Sequence, residues 1–105
     1  MKDFMQPKRC ARLLRALADP ERLRIVRYLR GGPKSVGEIA AELDALVVNV
    51  SHHLGVLRHA GLVEDEKQGR YVVYQLHPDV YQPAEKDCAT EQLDLGCCRL
   101  EIPKE

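Results

Sequence analysis

The sequence predicts an α+β domain, mainly helical, that carries a two-stranded β-hairpin. Three observations predict it. Apolar residues recur at helical spacing up to about Ala60, in segments closed by proline and glycine signals. Two short helical segments flank a break around Asp44-Ala45. Directly after them the period changes to the aromatic and β-branched run Tyr71-Val72-Val73-Tyr74-Gln75-Leu76.

Each element has its own local cause. A first helix is expected over Lys8–Ala18, where Leu13, Leu14 and Leu17 form an apolar stripe. Asp19-Pro20-Glu21 then supplies an N-cap, a proline at the first helical position and an acid in the first turn. The second helix should run to about Arg30 and stop at Gly31-Gly32-Pro33. Ser35 and Glu38 have the spacing of a capping box, which opens a third helix through Leu43. A fourth is expected over Val47–Ala60, with Val50, Leu54 and Leu57 turned inward and Gly61 as its stop. The hairpin turns at Lys67-Gln68-Gly69-Arg70, and His77-Pro78 ends it. Beyond Pro83 the chain is acidic and poor in apolar residues. A loosely held tail is expected there, with a short helix near Cys88–Leu93 and an extended Cys97–Ile102. The order of elements is that of a winged helix-turn-helix over residues 1–78, followed by an acidic, cysteine-containing tail over 79–105.

Composition excludes several classes. The 105 residues suit one domain with a modest core. No apolar run is long enough to cross a membrane and no secretory signal opens the chain, so the expected location is cytoplasmic. No P-loop, dinucleotide-binding turn or HExxH motif is present, which argues against an enzyme and against an organic cofactor. The 16 basic and 16 acidic side chains cancel. The balance hides a split: residues 1–60 carry a net charge of +5 and residues 61–105 a net charge of −5. Such asymmetry fits a basic working surface and an acidic end.

In a helix-turn-helix the second helix enters the major groove and its N-terminal half reaches base edges. With the apolar stripe turned inward, ~100° per residue puts Val48, Asn49, His52 and Val56 on the outer face and His53 at its margin. Asn49 can read adenine with two hydrogen bonds, and His52 can donate or accept one. Ser51 and Arg58 flank this face and suit phosphate oxygens. Lys67 and Arg70 at the hairpin tip can lie along phosphates or enter a minor groove. Glu64, Asp65 and Glu66 repel phosphate, so only the tip should face DNA. The competing readings are solvated histidines, an ordinary solvated turn, and a winged helix used for protein contacts through Leu46-Val47-Val48.

The residues resemble a known family. Ala16-Leu17-Ala18-Asp19-Pro20-Glu21-Arg22-Leu23-Arg24-Ile25 looks like the LADPTRLRIL opening of the ArsR/SmtB metal-responsive repressors. Val50 to Val63 resembles their VSRHLAVLREAGLV recognition segment, and Gly69 to Tyr74 their GRWVYY wing. The resemblance spans about Leu13 to Leu76. It implies a homodimer that binds double-stranded operator DNA and releases it on sensing an inducer. It places Asn49, Ser51, His52 and His53 in the reading helix and Arg70 at the wing tip. Two departures concern sensing. Ser35-Val36-Gly37-Glu38 stands where the family carries Cys-Val-Cys, and no histidine follows His77 for its C-terminal site.

Sensing must then use other residues, and the cysteines are the candidates. Cys97-Cys98 is a vicinal pair, with Cys88 and Cys10 elsewhere in the chain. A reducing compartment argues against a structural disulfide framework. Soft thiolates select thiophilic ions. As(III), which needs three ligands, can take both vicinal sulfurs and a third from Cys88 or Cys10. Four thiolates can instead hold Zn(II) or Cd(II). A thiol redox switch is the alternative. Cys10 also reads as a small buried hydrophobe in the first helix. The dimer surface is expected among Phe4, Met5, Leu13, Leu14 and Leu17.

Overall fold

The computed structural model describes residues 7–82 and 90–103. Four helices come first: α1 (Pro7–Leu17), α2 (Pro20–Leu29), α3 (Val36–Leu43) and α4 (Val47–Ala60). A two-residue strand, β1 (Lys34–Ser35), precedes α3. The wing follows as β2 (Val63–Gln68) and β3 (Tyr71–Leu76), and then come β4 (Tyr81–Gln82), β5 (Thr90–Asp94) and β6 (Arg99–Pro103).

The capping signals act as the sequence predicts. The Asp19 carboxylate accepts hydrogen bonds from the backbone N–H of Glu21 at 2.9 Å and of Arg22 at 3.2 Å. These satisfy donors that the first turn of a helix otherwise leaves free. The bond from the Arg22 N–H, with that from Glu21 and the nearby Arg22 charge, holds the Asp19 carboxyl below its ordinary range. Ser35 and Glu38 form a reciprocal capping box at 3.1 and 2.9 Å, and the bonds to Ser35 lower the Glu38 carboxyl in the same way. Gly61 ends α4 at φ 92°, in the left-handed region that favours glycine. Leu46 gives α4 no side-chain cap.

The wing has a strand that periodicity did not announce. Its three-stranded antiparallel sheet has the order β1-β3-β2, with Ser35 opposite Val73 and Val63 opposite Leu76. Ser35 therefore pairs with the wing and caps α3 at once. Gly69 and Arg70 form the two-residue turn between Gln68 and Tyr71, with Gly69 at φ 62°.

The chain after the wing departs from the expected loose tail. Thr90–Asp94 is a strand, so a helix near Cys88–Leu93 is not formed there, and Cys88 lies outside the described residues. Strands β4, β5 and β6 make a second antiparallel sheet. Val80, Leu93, Leu95 and Ile102 are buried in the same apolar cluster as the helices. A few well-spaced apolar residues thus anchor an acidic segment. The extended Cys97–Ile102 begins only at Arg99, because Cys97 and Cys98 sit in the β5–β6 turn. That turn is closed by Leu95 N–H donating to the Cys98 carbonyl at 2.9 Å, with Gly96 at φ 94°.

The core also corrects the expected dimer surface. Leu13 and Leu17 are buried within this chain, while Leu14 is 41% exposed. Phe4 and Met5 lie outside the described residues. Helical periodicity alone did not say which side of the α1 stripe meets its own core.

Candidate nucleic-acid interface and thiol cluster

Helix α4 is held by a dry stripe and shows a wet face. Val50, Leu54 and Leu57 are at most 1% exposed. Val48, Asn49, Ser51, His52 and Arg58 are exposed, and Val47 and Val48 leave an apolar lip at the start of the helix. Apolar side chains there match the 5-methyl group of thymine, and Asn49 matches adenine. Val56 is half-buried and packs against the core instead of standing fully on the outer face.

His53 is half-buried and bonded. Arg22 Nη1 lies 3.2 Å from its Nδ1. A guanidinium only donates, so Nδ1 accepts and the neutral ring carries its proton on Nε2. The Arg22 Nε also donates to the Ala16 carbonyl at 2.6 Å. One arginine therefore ties the end of α1, the start of α2 and the reading helix together. Nothing in the sequence of α2 alone shows that Arg22 reaches α1 and α4.

Arg58 and the wing are coupled as well. Arg58 Nη1 lies 3.6 Å from Asp65 Oδ2, so the cation expected to meet phosphate is partly engaged by the acidic approach to the wing. Lys67 and Arg70 are exposed at the tip. Glu64 accepts a hydrogen bond from Gln75 at 2.6 Å, which occupies it within the sheet.

A groove of about 670 Å³ runs between α1 and α4. Arg12, Arg15 and Arg22 face it from one side and Ser51, His52 and His59 from the other. Its apolar lining includes Ala16, Gly55 and Val56.

The cysteines meet on the other part of the fold. Cys10 on α1 is 2% exposed, and Cys97 and Cys98 at the β5–β6 turn are half-buried. The three sulfurs all lie within 4.8 Å of one another. Cys10 and Cys97 are joined as a disulfide, and Cys98 is free, its sulfur 4.0 Å from that of Cys10. The expectation against a disulfide is thus corrected at one pair. Neither compartment nor the spacing of the cysteines along the chain shows that the tail folds back onto α1. Both readings of Cys10 hold together, since it is buried and it belongs to the cluster.

A family model described as a helix-turn-helix domain matches residues 17–66. The transcriptional repressor SdpR of Bacillus subtilis is 33% identical over 70 residues, 67% of this chain and 78% of that protein. The chain spans about three fifths of the length of other curated regulators it matches. Among solved structures, the homodimeric winged helix-turn-helix DNA-binding domain of Mb0332 from Mycobacterium bovis, described as a possible ArsR-family regulator, superposes with a TM-score of 0.66 at 30% identity. That match takes in 69% of this chain and 67% of that one. A crystal structure of a possible transcriptional regulator for arsenical resistance reaches a TM-score of 0.61 at 40% identity, over 64% of this chain and 70% of that one. The winged helix-turn-helix fold agrees with these relatives, and the chain belongs to the ArsR/SmtB family of winged helix-turn-helix transcriptional repressors.

Proposed function

We propose that this repressor acts as a homodimer on double-stranded operator DNA and lets go when its thiol cluster takes a thiophilic ion such as As(III). The three gathered sulfurs carry the reading. A trivalent arsenical needs three thiolates, and among the described residues the cluster offers three sulfurs and no fourth histidine, cysteine or carboxylate. Zn(II) and Cd(II) favour four ligands and would need a further donor. The relative described as a regulator for arsenical resistance adds support. Thiolates, not disulfide sulfurs, are metal ligands, so Cys10–Cys97 must be reduced before such an ion enters.

On the DNA side, Asn49, His52 and Val48 read base edges, while Ser51, Arg58, Lys67 and Arg70 hold phosphates. His53 stands behind them, bonded to Arg22. In the homodimer two such reading helices address two half-sites about one helical turn apart.

The test is a gel shift on the reduced protein with arsenite, run on wild type and on the Cys97→Ser/Cys98→Ser variant. Wild type should release DNA and the variant should keep it. Equal release by both proteins rejects the cluster as sensor. A salt-independent affinity for duplex DNA rejects the operator reading, because phosphate contacts release counterions. The Cys10–Cys97 disulfide favours a second reading, a redox switch. Release on oxidation alone, without any added ion, selects it.

A further inference from the structure

The groove between α1 and α4 borders the reading face assigned above and adds residues of α1 to it. It is basic and carries no acid: Arg12, Arg15, Arg22, His52 and His59 face it, with Ser51. Arg22 is engaged by the Ala16 carbonyl, by His53 and by the Asp19 carboxylate at 3.9 Å. Arg12 and Arg15 are exposed, and among the described residues neither has an ion-pair partner. They lie i, i+3 on α1, on neighbouring positions of one helix face. The opposite wall is not independent of the reading helix. Ser51 and His52 belong to the groove and to the exposed face of α4 at once.

We infer that this groove is a second backbone contact for duplex DNA, in which Arg12 and Arg15 clamp phosphates beside the reading helix. The inference rests on the DNA-binding reading and extends it to an element outside the helix-turn-helix and wing. Charge complementarity commits it to this occupant. Two guanidiniums with no ion-pair partner among the described residues, lining a channel to which no described acid contributes, match a polyanion, and guanidinium forks fit phosphate oxygens. The channel continues onto residues that face the bases, so one duplex reaches both. His59 contributes less, because its Nδ1 donates to the Gly55 carbonyl at 2.8 Å. Contacts of this kind position a duplex and carry no sequence information.

The experiment uses the full chain, reduced, with a random-sequence duplex of about three helical turns, roughly 30 base pairs. Affinity is measured across a salt series for wild type and for Arg12→Gln/Arg15→Gln. Each lost phosphate contact removes about 0.9 from the slope of log affinity against log salt. The double variant should therefore lose about 1.8, so that a fourfold rise in salt costs it roughly tenfold less affinity than it costs wild type. An unchanged slope in a variant that melts like wild type overturns the inference. A variant that sediments as a smaller species than wild type also overturns it, because the groove is then a contact between copies of the chain. Arg12→Lys/Arg15→Lys should restore most of the slope, since the charge is kept. Failure of wild type itself to bind duplex would instead reject the DNA-binding reading, so the two failures are distinguishable.

Discussion

Helix α4 and the β5–β6 turn solve opposite problems with the same apolar core. The helix uses one buried stripe, Val50, Leu54 and Leu57, to hold polar side chains out in solvent. The turn uses Leu93, Leu95 and Ile102 to hold sulfurs inward against α1. The first arrangement is local: its residues lie within three turns of one helix and are positioned before any partner arrives. The second is long-range, because Cys10 and Cys97 are 87 residues apart. Chemistry at the cluster therefore acts on the closure of nearly the whole chain, whereas a substitution on the reading face acts on one surface.

The largest effects should test whether the two regions share one core. Leu54→Ala and Leu93→Ala each remove a side chain at most 1% exposed, and each should cost about 2–5 kcal/mol. Thermal unfolding followed by circular dichroism should show one lowered transition in both. A Leu93→Ala protein that melts in two steps, with the helical signal unmoved, would split the molecule into separate units.

Next in size is the reading face. Asn49→Ala should weaken binding to an operator-selected duplex by about 1–3 kcal/mol while leaving random duplex affinity nearly unchanged. Fluorescence anisotropy on both duplexes makes the comparison, and an equal loss on both would assign Asn49 to the backbone instead. The protein's inducer response should survive this change, since the cluster lies elsewhere.

A smaller effect, opposite in sign, is expected at the wing. Asp65→Asn removes the acid that engages Arg58 at 3.6 Å. Surface pairs of this kind are worth about 0–1 kcal/mol, so duplex affinity should rise by a few-fold at most, and most clearly at low salt. A fall in affinity would mean that Asp65 positions Arg58 productively.

The smallest effect is on acid stability. Asp19 has a carboxyl lowered in the folded state by its bonds to the Arg22 and Glu21 backbone. A lowered carboxyl contributes stability above its unfolded value, and that contribution is lost as pH falls through the folded value. Asp19→Asn should therefore flatten the acid limb of a stability–pH profile, with little change near neutrality, where asparagine still caps. An unaltered acid limb would remove Asp19 from the account.

These expectations also show where sequence is transparent. Caps, helix stops and the hairpin follow from neighbours within four residues. Asp19, Ser35, Glu38 and Gly61 were therefore legible, and α4 begins and ends where its stripe and glycine place it. The exposed face of α4 followed from helical geometry, except that Val56 turns partly inward. What escaped is non-local. The pairing of β1 with β3 depends on a partner about forty residues away. Residues 90–103 looked acidic and unanchored because three apolar side chains suffice when each lands in an existing core. The vicinal cysteines marked one half of the cluster, but only the folded tail shows that Cys10 completes it. The Arg22–His53 bond and the α1–α4 groove left no periodic trace.

Helix α1 presents Cys10 to the sulfurs while Arg12 and Arg15, about 200° and 140° further round its axis, face the groove. A rigid cylinder cannot turn one side without turning the other. On the readings proposed above, an ion held at Cys10 and a duplex seated on the arginines would both act on the helix's roll angle, and release by the ion means that the two compete. Linkage makes that competition reciprocal: whatever factor the ion takes from operator affinity, the operator takes from ion affinity. Titrated on its operator, the repressor would then respond at a higher inducer concentration than it does free in solution, so its threshold is set jointly by chemistry and by occupancy of the promoter.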